Sequence, residues 1–194
     1  MNILKYEGSF GFIKPWTAVR DSVTKSNHYL TPSILMGIER KLFPELSLND
    51  NGKLNKISRY RLSFQDISFQ QESTLAVNYV RKGNKKKGFH FERKNGIVSR
   101  GLLINPVLYL VFNSEIDIQS AKNEHICLCR NEDIMLPVDI IKTNEFDFDN
   151  DPDFSGYETF ESNSDGIYCG YNKYTNKEQF VNLQMFGIPL NLRG

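Results

Sequence analysis

A chain of 194 residues with 40% hydrophobic and 24% charged residues can bury one full core, which excludes both a disordered polar chain and a small disulfide-stapled scaffold. The net charge of +1 hides a sorting of charge: residues 81–100 hold eight Lys or Arg against one acid, Glu92, and residues 145–165 hold eight acids and no cation. Cys127, Cys129 and Cys169 are odd in number and spaced for neither a disulfide framework nor a zinc knuckle, no apolar run reaches transmembrane length, and MNILKYEGSF lacks the layout of a secretory signal.

The expectation is therefore one cytoplasmic domain, 1–194, without a membrane partner. In chain order, NILKYEGSFGFI (2–13) alternates aromatic and polar positions as a first strand whose glycines tolerate a bulge. A basic loop, KPWTAVRDSVTKSNHY (14–29), carries the only tryptophan. Ile34, Leu35, Ile38 and Leu42 then form the apolar stripe of a helix, with Glu39 and Lys41 opposite. RYRLSFQDISFQQE (59–72) alternates as a long strand, and STLAVNYV continues it. GFHFERKNGIVSRG reads as two arms around an Asn95-Gly96 turn, so 81–100 is expected to project as a basic hairpin. NPVLYLVFN (105–113) is a central strand, a short helix or loop follows near 116–122, and HICLCRNEDI and LPVDIIKT supply further strands. The stretch 145–165 is expected to be an acidic loop and 166–194 a C-terminal strand segment. This order is α+β, close to a ferredoxin-like βαββαβ unit with a large insertion, and such sheets commonly meet RNA through aromatic and basic residues.

Thr31 stands at the N-cap and Pro32 at N1 of the helix. Taken alone that is an ordinary cap; with Lys14, Arg20, Lys25 and His28 before it, the amides of Ser33 and Ile34 are also a seat for phosphate. The basic segment is stronger: Phe89, His90 and Phe91 interleave with cations, as suits an arm that follows a nucleic-acid backbone and offers rings to bases. In the acidic segment, Asp147, Asp149, Asp151, Ser155 and Glu158 have calcium-loop spacing, but Pro152 occupies the place that needs glycine, so no metal is expected there and a solvated loop, or one meeting a basic neighbour, is preferred. Metal-free RNA cleavage would draw on His28, His90 or His125 with Tyr29 and Lys87, yet no spacing fixes their geometry, and no catalytic residue is assigned.

GFIKPWT…HYLTPSILMGI and SRGLLINPVLYLVF, in this order over residues 1–113, resemble the Cas five family, the CRISPR-associated subunit that caps the 5′ end of the guide RNA in type I effector (Cascade) complexes. The resemblance implies an RNA-recognition-like (RRM-like, RAMP) fold with a thumb between the second and third strands. It also implies a non-catalytic role gripping the 5′ handle of the crRNA, no cofactor, backbone and large subunits as partners, and target DNA as an indirect one. By position, Lys14, Trp16, Arg20, Tyr29, Thr31 and Ser33 would line the RNA with Arg81, Lys82, Lys85, Lys86, Lys87, His90, Arg93, Lys94 and Arg100. HICLCRNEDI and the acidic stretch depart from the family's pattern. One subtype cleaves precursor RNA through tyrosine, histidine and lysine; here Lys87 and His90 are not adjacent, so an endoribonuclease is the alternative, beside a scaffold subunit of a type III or atypical complex.

Overall fold

A computed structural model describes residues 1–15, 22–49, 52–86 and 88–188. Trp16, Arg20 and Lys87, expected to contact RNA, and the end of the C-terminal segment, 189–194, lie outside the described residues.

The first strand divides into β1 (Asn2–Glu7) and β2 (Phe10–Gly11), with Gly8 between them against the Ile134 carbonyl. After β3 (Val23–Lys25) comes α1 (Pro32–Leu42), then a 3-10 turn, β4 (Ile57–Ser63), β5 (Asp66–Asn84), β6 (Gly88–Ile104) and β7 (Val107–Phe112). The remainder is α2 (Glu115–Ala121), β8 (Ile126–Cys127), β9 (Ile134–Lys142), α3 (Glu145–Asn150), β10 (Gly156–Ser162), β11 (Ile167–Asn172) and β12 (Lys177–Phe186). The chain is mixed α+β with few helices. Its main sheet has eight strands in the order β11-β12-β10-β4-β7-β1-β9-β8, with antiparallel neighbours. The apolar run 107–112 is central, as its two-sided burial requires: β1 pairs on one side and β4 on the other.

Period-2 alternation separates two cores. Leu108, Leu110 and Phe112 face the same side as Leu4, Tyr6, Tyr60 and Leu62, where Leu35, Ile38 and Leu42 of α1 and Ile118 and Ala121 of α2 cover them. Glu39, expected on the solvent side of α1, is buried instead. Its carboxylate accepts the amides of Asn55, Lys56 and Ile57 at 2.7–3.2 Å, so one charged side chain satisfies three donors at the entry to β4.

The second face carries Ile3, Tyr109 and Val111, covered by Phe148 and Phe154 from the acidic segment. That segment is not the solvated loop its composition predicts. Asn144 caps α3 by accepting the Asp147 amide, a 3-10 turn covers Pro152–Phe154, and the segment continues into β10. Its aromatic residues alternate with its acids, and burying the rings carries Asp149 and Glu158 onto β4. There Arg59 donates to Glu158 at 2.7 and 2.8 Å and to Asp149 at 2.7 Å. Arg61, 0% exposed, donates to Asp149 at 2.8 Å, to Glu158 at 3.1 Å and to the Phe148 and Phe154 carbonyls. The Arg61 guanidinium also lies 3.6 Å from the Phe186 ring centroid and 4.1 Å from that of Phe148. With Asp149 and Glu158 engaged by arginines, the five calcium-spaced oxygens are distributed over helix, turn and strand.

Candidate nucleic-acid interface

Between β4 and β7 the chain leaves the main sheet as the β5–β6 hairpin. The paired ladder runs from Asp66↔Ile104 to Asn84↔Gly88, a ribbon on the order of 50 Å long at about 3.3 Å per residue. Asn95 and Gly96 do not form the turn. They lie inside β6, opposite a part of β5 whose register slips between Ser73 and Ala76 and again between Ala76 and Asn78. The tip is at 84–88, where Gly83 and Gly88 supply φ of +106° and +80° and the Asn84 side chain accepts the Lys86 amide. A Cβ on Gly83 would stand 2.1 Å from the Gly88 carbonyl oxygen, so glycine is required there. The expected hairpin is therefore present but roughly twice as long as 81–100, with Lys85 and Lys86 at its tip.

The base of the ribbon is held firmly. The other edge of β6 pairs with β2 at Leu103 and Ile104 and, in parallel, with β3 at Ser99–Gly101. Arg130 donates to Glu72 at 2.5 Å and to the buried Asp133 at 2.6 Å, while Arg100 donates to Thr24 Oγ1 at 2.9 Å. Both guanidinium groups lie over the Phe12 ring. Arg100 thus belongs to the anchor. Beyond Val98, β6 pairs only with β5.

On this free part the register decides which side chains share a face, because directly opposed residues in an antiparallel ladder point the same way. Phe91 is opposite Arg81, Arg93 opposite Tyr79 and Phe89 opposite Gly83, which puts three rings and two guanidinium groups on one face. The other face holds Lys82 opposite His90 and Lys94 opposite Asn78. Glu92 joins it and accepts from Lys82 at 2.6 Å and lies 3.4 Å from His90; the hydrogen bond from Lys82 and that from His90 hold its carboxyl below the usual range. Lys85, Lys86, Arg93 and Lys94 make no ion pair among the described residues.

Of the two amides expected to seat a phosphate at α1, that of Ile34 is taken by its own chain. Thr31 is buried, its hydroxyl and carbonyl both accept the Ile34 amide, and the Ser33 hydroxyl donates to Gln179 of β12 at 3.1 Å. The Ile34 amide is therefore spent on the cap, and Gly37 has open space where a Cβ would stand. Lys14 is exposed. His28 lies half-buried with its ring 5.1 Å from Phe64 and 5.9 Å from Tyr157; burial, helped by Lys25, lowers its pKa below the ordinary histidine value. Burial, then Cys169, raises the phenol of Tyr29.

The histidines are not brought together. His28 follows the Lys25↔Gly101 pair at the base, whereas His90 is about 35 Å farther along β6 at ~3.3 Å per residue, and His125 borders a groove against α1. The sequence reading missed Tyr79, Arg59, Arg61 and Arg130. Tyr79 and Arg81 at i, i+2, followed by Phe89 and Phe91 at the same spacing, was the legible signal for the first.

No protein-family model matches the chain, and no curated protein sequence matches it. Among solved structures it is similar to a chain of a CRISPR RNA-guided surveillance complex, at 8% identity and a TM-score of 0.48, covering 98% of this chain and 91% of that one. It is also similar to a structure described as a Cas protein, at 10% identity and a TM-score of 0.42, covering 99% and 100%. At that level of likeness, function has to be read from the chain's own residues.

Proposed function

We propose that this chain is a non-catalytic RNA-binding subunit of a CRISPR type I effector complex, holding the 5′ handle of the guide RNA. The observation that carries the reading is the long basic hairpin. It is inserted between β4 and β7 of a β1-α1-β4-β7-α2-β9 path whose antiparallel sheet order, β9-β1-β7-β4, suits a ferredoxin-like palm. The same place is where the resemblance to the Cas five family puts a thumb. Tip lysines unmatched by any acid among the described residues suit phosphate contacts, and exposed rings suit single-stranded RNA. The helix start contributes His28, which follows the Lys25↔Gly101 pair at the hairpin base.

The test is binding of handle RNA and of an unrelated RNA of equal length by the assembled complex, across a salt series. Handle RNA should bind more tightly, and Lys85→Gln with Lys86→Gln should lower the slope of log K against log salt by about 0.7 per cation removed. Equal affinity for the two RNAs would remove the handle-specific role.

A further inference from the structure

We infer that the face of the hairpin bearing Tyr79, Arg81, Phe89, Phe91 and Arg93 is a stacking platform for unpaired nucleobases, and that the opposite face is not. This rests on the RNA-binding reading and adds which side of the hairpin reads which form of the polymer.

Tyr79, Phe89 and Phe91 are 56%, 47% and 67% exposed. Three large rings left in water on one side of a two-stranded ribbon need an occupant, and the chemistry around them selects it. Both charged groups on that face are arginines and no acid joins them, since Glu92 lies on the other side with Lys82 and His90. The Arg81 guanidinium carbon lies over the Phe89 ring, 3.4 Å from its centroid, so the cation stacks on one face of that ring and leaves the other face for a base. Opposite Phe89 stands Gly83, which adds no side chain to crowd the ring.

Phe89 and Phe91 are one pleat repeat apart, ~6.8 Å along the strand, a spacing that lets successive unpaired bases each stack at ~3.5 Å on an open ring face. Phosphates flanking such a base are within the reach of Arg93 and the tip lysines. A base pair inside a duplex has both faces already stacked and cannot enter, so this face favours single strands, whereas lysines act on either form.

The experiment measures fluorescence anisotropy of the full chain with a short unstructured RNA carrying 2-aminopurine, and with the same RNA annealed to its complement. Phe89→Leu with Phe91→Leu keeps bulk and exposed strand character but removes the rings. It should weaken single-strand binding by about ten-fold or more, abolish 2-aminopurine quenching, and leave the duplex affinity and the salt slope unchanged. Val80→Thr, on the other face, should change nothing, and circular dichroism identical to the parent's checks that the fold is kept. If the double variant binds the single strand as the parent does while Lys85→Gln with Lys86→Gln weakens both forms, the platform is refuted and RNA binding stands; the rings then face a protein. If the parent binds neither form, the RNA-binding reading falls with it.

Discussion

Glu158→Gln should unfold the chain far more readily than its position on one strand near the C-terminus implies. Glu158 is 1% exposed and accepts three guanidinium contacts between 2.7 and 3.1 Å from Arg59 and Arg61. An amide replaces a full negative charge with one neutral acceptor and a donor aimed at cations. Among the described residues Asp149 is then the only carboxylate still paired with both arginines, and Arg61 is fully buried. Its Nε already lacks a partner among the described residues. Leaving a buried charge uncompensated costs about 3–5 kcal/mol, against a total stability of about 5–15 kcal/mol for a domain, or a fall in Tm on the order of 10 °C at this size. Urea unfolding followed by circular dichroism measures it, with an unchanged m value confirming that the unfolded state is not altered. Adding Arg61→Met to Glu158→Gln removes the surplus cation and places a flexible apolar chain between Phe148 and Phe186, so at least about 1 kcal/mol should return. A loss below about 1 kcal/mol for Glu158→Gln alone, the level of a solvent-exposed pair, would refute the buried-network argument.

The other expectations concern pH, capping and the hairpin tip. Burial pushes the Asp149 carboxyl up, but hydrogen bonds from Arg59 and Arg61 outweigh it and hold the group below its ordinary value; its stabilisation is therefore complete above the unfolded pKa of ~3.9 and is lost as pH falls through the lower folded value. Acid unfolding monitored by circular dichroism should shift in midpoint with Asp149→Asn, and an unmoved midpoint would contradict this. Glu39→Ala strands the amides of Asn55, Lys56 and Ile57, at about 1–3 kcal/mol for each amide that stays buried without a partner; urea titration giving less than 1 kcal/mol in total would show that water replaces the carboxylate. Gly83→Ala should disorder the tip, seen as faster hydrogen exchange at 80–92, while Tm moves by only a degree or two, since among the described residues the distal ribbon pairs only within itself.

Local periodicity made much of the scaffold legible, and the failures share one cause. β1, α1 and β7 were readable because each carries its own signal: alternation, an apolar stripe behind a Thr-Pro cap, or a nearly continuous apolar run. Glu39, Arg59 and Arg61 were not, because a charged residue at its expected period reads as solvent-facing, and only the later chain decides whether something covers it. The Asn95-Gly96 turn failed likewise. A two-residue turn preference is worth little beside the glycine pair at 83 and 88, where L side chains would be strained, and the slipped register of β5 absorbs Asn95 and Gly96 into a continuous strand.

That outcome changes what the sorted charges mean. Two separated poles in a sequence of net charge +1 invite the idea that they neutralise one another in the fold. Instead Asp149 and Glu158 are consumed by Arg59 and Arg61 on the second face of the main sheet, and among the described residues no acid from 145–165 pairs with the hairpin. The only carboxylate on the free part of the ribbon is Glu92, placed on the face opposite the rings. Pairing of Asp149 and Glu158 with Arg59 and Arg61 therefore leaves Lys85, Lys86, Arg93 and Lys94 of the hairpin without an ion pair among the described residues. At physiological ionic strength, where charges more than about 8 Å apart are screened from each other, the hairpin presents a positive field to an incoming polyanion that the net charge of the chain understates.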